Sequence, residues 1–236
     1  MKDREKTTHN LANDFTFAHR PEGFDNHIDS SIRNYSTLHD DIVKMSKYFV
    51  ENNTSVVDIG CSTGKTLGAM YDQNHSFAPN VSYQGIDYAD GFVESMKKRM
   101  VDYPSINLYQ ADVRDVEFSN CSMITSIFTL QFMPHKDRQS VLNNIYKGLN
   151  PGGAFIFAEK TYSCNPKVQD ILTFMYYDFK RESFTTDDIM DKEHSLRSML
   201  KPNTWTELKE MMRVAGFENV QPFWQNHLFV GAVAIK

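Results

Sequence analysis

The segment Val56-Val57-Asp58-Ile59-Gly60-Cys61-Ser62-Thr63-Gly64 places two glycines and an aspartate at the end of a β-branched run. Lacking a Cβ, glycine permits a tight turn and lets a ligand approach the backbone. A helix starting just after such a turn aims unpaired N–H groups back at whatever is bound. Three residues separate Gly60 from Gly64, and Ile59 stands where an additional glycine would fall. A Walker A loop needs four residues between its glycines, so a P-loop is disfavoured, and the G-x-G-x-x-G dinucleotide fingerprint is absent.

Two further aspartates follow short apolar runs. Ile86-Asp87 offers a carboxylate able to accept both hydroxyls of a ribose, or to cap the next helix. Ala111-Asp112-Val113 offers a carboxylate and an N–H for an adenine edge, or else a turn. Asp58 faces the methionine end of such a ligand or orients the loop. Together these strand ends turn the reading towards S-adenosyl-L-methionine (SAM). No residue has to be a catalyst for methyl transfer: SAM is already activated, and holding an acceptor in line with its methyl lowers the barrier by itself.

These residues need a sheet to position them. Apolar runs at Ser55-Val56-Val57-Asp58-Ile59, Val81–Ile86, Ile106–Gln110, Met123–Phe128 and Ala154–Ala158 read as buried parallel strands. Helical stretches lie between them at about 64–74, 89–102 and 136–149, after a helix spanning Phe24 to about Asn52. A helix at 204–215 with Gly216 beyond its end, then strands near 218–225 and 227–235, complete the pattern. The alternation predicts an α/β fold: a doubly wound, mostly parallel, seven-stranded Rossmann-like class I methyltransferase sheet with a helical N-terminal arm and a lid insertion. Residues 1–23 are expected to form a flexible arm, and 24–236 a SAM-binding domain carrying a helical lid at 165–203.

The composition sets bounds. A chain of 236 residues, 41% hydrophobic and 23% charged, suits one such domain. The net charge of −5 argues against blanketing nucleic-acid phosphates, so direct nucleic-acid binding is not expected. Cys61, Cys121 and Cys164 form no C-x-x-C pair, and the eight histidines lack metal-ligand spacing, so no metal is expected. No apolar run reaches the roughly 20 residues of a membrane span. The charged start Met1-Lys2-Asp3-Arg4 is no secretory signal, and a cytoplasmic location is expected.

Several strings resemble one family. They are Phe128-Thr129-Leu130-Gln131-Phe132, Asn150-Pro151-Gly152-Gly153, Glu159-Lys160 and Asp178-Phe179-Lys180-Arg181. Phe24-Asp25, Tyr35-Ser36, Gly60-Cys61-Ser62, Ala215-Gly216-Phe217 and Phe223-Trp224-Gln225 extend the match. The chain resembles the CmoA family of carboxy-S-adenosylmethionine synthases over roughly 24–236. That resemblance implies SAM or carboxy-SAM as cofactor, prephenate as carboxylate donor, a homodimer, and a product that serves tRNA wobble-uridine modification. It also implies ligand contacts at Tyr35, Gly60, Cys61, Ser62, Asp87, Tyr88, Asp112 and Val113. Two departures stand out. Ile127 occupies a position where the family has a ligand-contacting Asn, and an apolar side chain cannot replace that amide's hydrogen bonds. The family's lid arginine corresponds to Arg197 by local string and to Glu193 by ungapped comparison.

Three functions fit: a SAM-dependent enzyme transferring a one-carbon group to an unidentified acceptor, a carboxy-SAM synthase, and a non-catalytic SAM-binding protein. Arg33, Arg181 and Arg197 are candidate anion partners for the second, and Tyr176 and Tyr177 candidate pocket residues.

Overall fold

The computed structural model describes residues 23–236, so the arm expected at 1–23 lies, apart from Gly23, outside the described residues. The chain runs through β1 (Ser55–Ile59), β2 (Ser82–Asp87), β3 (Ile106–Gln110), β4 (Cys121–Ile127) and β5 (Leu149–Tyr162). Helices α3 (Lys65–Asn74), α4 (Asp90–Arg99) and α5 (His135–Gly148) supply three of the crossovers, and the β3–β4 connection holds a single 3₁₀ turn at Val113–Asp115. Then follow α6 (Pro166–Lys180), α7 (Thr186–Leu196), the two-residue β6 (Asn203–Thr204), α8 (Trp205–Ala215), β7 (Val220–Asn226) and β8 (Phe229–Ile235).

The sheet order is β3-β2-β1-β4-β5-β8-β7, with β6 added beside the end of β5. Strands β1 to β5 pair in parallel, while β8 runs antiparallel to both β5 and β7. Side chains alternate faces along each strand, and the strands are apolar on both. Val56 and Ile156 pack into a core with Leu38 and Met70 of the helices on one side. Val57, Phe155 and Phe157 pack into a second core with Leu142 and Met212 on the other. The chain winds outward from β1 through β2 and β3, then returns to build β4 and β5 on the opposite side. The carboxyl ends of β1 and β4 therefore flank the point where strand order reverses, where open α/β sheets bind ligands.

The helix expected from Phe24 to about Asn52 is instead two helices, α1 (Phe24–Ser31) and α2 (Tyr35–Ser46). Asn34 breaks it with a left-handed φ of 60°, a conformation Asn tolerates better than most residues, and turns occupy the stretch after Ser46. Among the described residues no helix is long and apolar enough to cross a membrane.

Candidate functional site

Beyond the carboxyl ends of the strands lies a cavity of about 1290 Å³. Its floor begins where β1 turns into α3. Gly60 (φ 67°), Ser62 (φ 52°) and Gly64 (φ 75°) all adopt left-handed backbone. The Gly60 and Cys61 N–H groups both donate to the Ile86 carbonyl, at 2.8 and 3.1 Å, which folds the turn against β2. A Cβ on Gly60 would lie 2.2 Å from Thr129 Oγ1, so glycine is required there for the β4 loop to come so close. Cys61 lines the turn, and its thiol is directed at Met96 Sδ, 3.1 Å away.

Three acidic groups differ in their surroundings. Asp87 is buried and faces the cavity, with Oδ2 accepting the Ser62 N–H at 2.8 Å and Oδ1 the Ala89 N–H at 2.9 Å. Ala89 is the N-cap of α4, so the helix-start role and the cavity position coexist. Burial raises its pKa, against three backbone hydrogen bonds that lower it. Asp58 is 3% exposed and accepts the Thr125 hydroxyl at 2.6 Å. Burial pushes its pKa up to about 7; the Thr125 hydroxyl opposes this and the nearby Asp87 charge adds to it. Asp112 takes the turn role, accepting the Arg114 N–H at 3.0 Å, and it also pairs with the Arg114 guanidinium. Its neighbour Val113 is buried in the cavity wall.

Tyr35, at the start of α2, is buried in the wall, with its ring 6.2 Å from that of Phe128. Tyr88 also borders the cavity, but as an exposed side chain. Ile127 presents an apolar surface to the centre of the wall, at the end of β4. The Ser62 hydroxyl is buried and has no hydrogen-bond partner among the described residues.

The far side differs from the sequence reading. Arg197 is the exposed C-cap of α7 and is absent from the cavity wall, whereas Glu193 is in it. Helix geometry explains this. Ile189 is the buried anchor of α7, Glu193 follows four residues later on the same face, and the helix ends at Leu196. Arg33 and Arg181 are exposed and stand outside the wall, Arg181 pairing with Asp178. Tyr176 lines the cavity and Tyr177 does not.

Sequence reasoning missed four groups of residues here. Lys160 and Lys192 reach the wall beside Glu193, and Thr129 packs on Gly60. Asp25 of α1 accepts the Thr63 hydroxyl at 2.8 Å, and Arg99 donates to both, clasping α1 over the turn. The Phe24-Asp25 string was the available signal for the last of these.

A family model described as a methyltransferase domain matches residues 56–153. A carboxy-S-adenosyl-L-methionine synthase of Staphylococcus epidermidis is 36% identical over 214 residues, covering 90% of this chain and 92% of its own. The enzyme of that name from Histophilus somni is 34% identical over 229 residues, covering 94% of each. The chain belongs to the carboxy-S-adenosyl-L-methionine synthase family.

This family lies within the class I SAM-dependent methyltransferases, as the domain match requires. Solved structures agree on the fold. A Haloferax volcanii complex of a methyltransferase with its Trm112 activator aligns with TM-score 0.63 at 15% identity, covering 93% of this chain and 95% of that one. Human N-acetylserotonin methyltransferase, solved with SAM, gives 0.55 at 15%, covering 86% of this chain and 52% of that longer one. At such identities these likenesses concern the fold alone. In carboxy-SAM synthase family terms, the turn after β1 is the family's Gly-Cys-Ser segment, and the departures sit at Ile127 and in α7.

Proposed function

We propose that the cavity binds SAM along the loops of β1 to β4 and that the protein converts it to carboxy-SAM. The observation carrying the SAM reading is the acidic lining: Asp58, poised near 7, and Asp87 face one cavity beside an unsatisfied Ser62 hydroxyl. A ligand with a ribose diol and a cationic sulfonium answers those groups. Asp87 keeps a further lone-pair direction on each oxygen, because a carboxylate has about four acceptor sites. The sulfonium and α-ammonium charges favour ionised Asp58. Val113, Phe132 and Met133 give adenine an apolar slot.

SAM supplies an electrophilic carbon on sulfur; this chain's residues bind, orient and exclude water. Tyr35, Ile127 and Phe128 wall the centre of the cavity. The segment 165–203 acts as the lid, since α7 brings Lys192, Glu193 and Leu196 to the wall. The site set is Tyr35, Asp58, Gly60, Cys61, Ser62, Asp87, Tyr88, Asp112, Val113 and Ile127; Arg197 is left out because it stands outside the wall.

The carboxylated product is favoured by family membership, with prephenate as the carboxylate donor by resemblance. A role in tRNA modification is then indirect, through a small-molecule product made in the cytoplasm. A homodimer is supported by α6, where Val168, Ile171, Phe174 and Met175 form an exposed apolar stripe at helical spacing. Direct methyl transfer to an unidentified acceptor is the second reading, favoured by Ile127, which offers no amide to a carboxylated ligand.

Mass spectrometry of ligand extracted from the purified protein tests this. A SAM-plus-carboxylate mass is expected. SAM that stays unchanged with prephenate but loses its methyl when cell extract is added would replace the synthase reading with the methyltransferase one.

A further inference from the structure

The β5 side of the cavity holds more positive than negative charge. Lys160 near the end of β5 and Lys180 at the end of α6 approach the same aromatic ring: each Nζ lies 5.2 Å from the centroid of Tyr176. Their near acidic neighbour is Glu193, 3.9 Å from Lys160 Nζ. Lys180 is only 2% exposed, and its Nζ has no hydrogen-bond partner among the described residues. Lys192 comes close as well and contacts His27, but it is left out of this balance. Two ammonium groups therefore face one carboxylate in a wall sealed by Tyr176 and Phe229.

Buried charge is costly unless paired. Burial lowers the pKa of both lysines, Glu193 works against that, and each lysine has a further cation beside it, Arg197 for Lys160 and Lys160 for Lys180. The arrangement is short of one anion. Its place in the sheet says where that anion would come from. With the order β3-β2-β1-β4-β5, Asp87 and Asp112 fall on one side of the glycine turn and Lys160 on the other. A nucleoside lying over β2 and β3 leaves the β5 side to the group that is transferred or received.

We infer that Lys160 contacts, and Lys180 behind Tyr176 reinforces, an anion subsite for a carboxylate at the sulfonium end of the ligand. The inference rests on the SAM reading above. It assigns to two lysines from β5 and α6 the task that the resemblance gives to a lid arginine. Lys160 and Tyr176 form the cavity-facing part, the Tyr176 hydroxyl remaining protonated because burial raises its pKa. Lys180 is a positioning residue: it acts through the field at the ring and does not itself line the cavity. A subsite of this kind selects acidic ligands and rejects cationic acceptors such as amines.

The test is calorimetric titration of SAM and of carboxy-SAM into wild type, Lys160→Met, Lys180→Met and Lys180→Arg, with thermal melting as a check on folding. Wild type is expected to bind carboxy-SAM at least about tenfold tighter than SAM. Lys160→Met is expected to erase that preference while moving SAM affinity less than about threefold. Lys180→Met should narrow the preference, and Lys180→Arg should restore it, which a merely structural lysine would not do. Equal weakening of both ligands by Lys160→Met would overturn the subsite, because the lysine would then serve the amino-acid carboxylate shared by both. If the variants fail to fold, wild type titrated with the methyl ester of the carboxymethyl group decides: an ester bound as tightly as carboxy-SAM removes the subsite. Wild type that binds SAM without discriminating also removes it but leaves the SAM reading standing. Binding of neither ligand removes both.

Discussion

Asp87 Oδ2 accepts the Ser62 N–H at 2.8 Å, so the carboxylate that ends β2 holds the turn that follows β1. A hydrogen bond to a charged group contributes roughly 1.5–3 kcal/mol, and this carboxylate makes one to each of two backbone donors. Asp87→Ala should therefore lower the melting temperature and, by also removing the ribose acceptor, weaken SAM binding about a hundredfold. Asp87→Asn keeps one acceptor and should fall between. Were Asp87 only a cap for α4, calorimetry would show stability lost with SAM affinity within about threefold of wild type.

Gly60→Ala should be among the most damaging single changes in the turn. It places a Cβ at φ 67° and drives it onto Thr129 Oγ1. The left-handed conformation alone costs about 1–2 kcal/mol for a residue with a Cβ, and overpacking adds about 1–3 kcal/mol. Urea denaturation should show a loss of about 3 kcal/mol. In Gly60→Ala with Thr129→Gly the clash is relieved and the backbone strain is not, so part of the loss should return. Strict additivity of the two substitutions would mean that the residues do not meet.

SAM affinity should rise with pH around neutrality. In the free protein Asp58 titrates near 7, and a cationic ligand pulls that pKa down, so binding at neutral pH releases a proton. Affinity should climb from pH 6 to about 8 and then level, with proton release visible as a buffer-dependent binding enthalpy. In Asp58→Asn both signatures should vanish. The same group also acts on stability. Its folded pKa lies above the ordinary 3.8, so its contribution is full below about 4 and is lost as pH rises through about 7.

Much of this architecture is legible in the sequence because parallel strands buried on both faces must be continuous β-branched or aromatic runs. Ser55–Ile59 and Ala154–Ala158 are of that kind, and each forms or lies within a strand. The glycine turn and Asp87 are legible because their chemistry depends on position at a strand end. The break at Asn34 is not, since apolar residues keep helical spacing across it and only packing selects the left-handed kink. Nor is the choice between Arg197 and Glu193: it follows from the rotation of α7 about its buried Ile189, a tertiary fact. The same holds for Lys160 and Lys180, more than a dozen residues apart in sequence and joined only through Tyr176.

The stripe on α6 gives a prediction for assembly. Phe174 is 63% exposed, with Val168, Ile171 and Met175 on the same flank. An apolar surface of that kind on a soluble enzyme marks an interaction site. Phe174→Glu should convert a dimer to a monomer in light scattering at micromolar concentration. A wild-type chain that elutes as a monomer would remove the homodimer from the proposal.

Arg138 ties the lid's return to the loop after β4. Its fully buried guanidinium donates to the carbonyls of Gln131, Met133 and Lys201, and it also contacts the Asn203 side chain. The Lys201 N–H donates in turn to the Gln131 carbonyl at 2.8 Å, so the chain leaving α7 is pinned to the segment that follows Thr129. A lysine has one nitrogen and cannot span these acceptors in the planar fork that Arg provides. Arg138→Lys leaves buried carbonyls unpaired at about 1–3 kcal/mol each, so a loss of about 3 kcal/mol is expected in urea denaturation. The effect should also be local. Hydrogen exchange should speed up first at residues 198–203, ahead of β1 and β4, because only the pinned strand end is released. Since Met199, Leu200 and Lys201 belong to the cavity wall, the variant should also weaken SAM binding while leaving the pH dependence set by Asp58 in place. Uniform acceleration of exchange across the sheet would instead make Arg138 a general stabiliser of the core, with no particular hold on the lid.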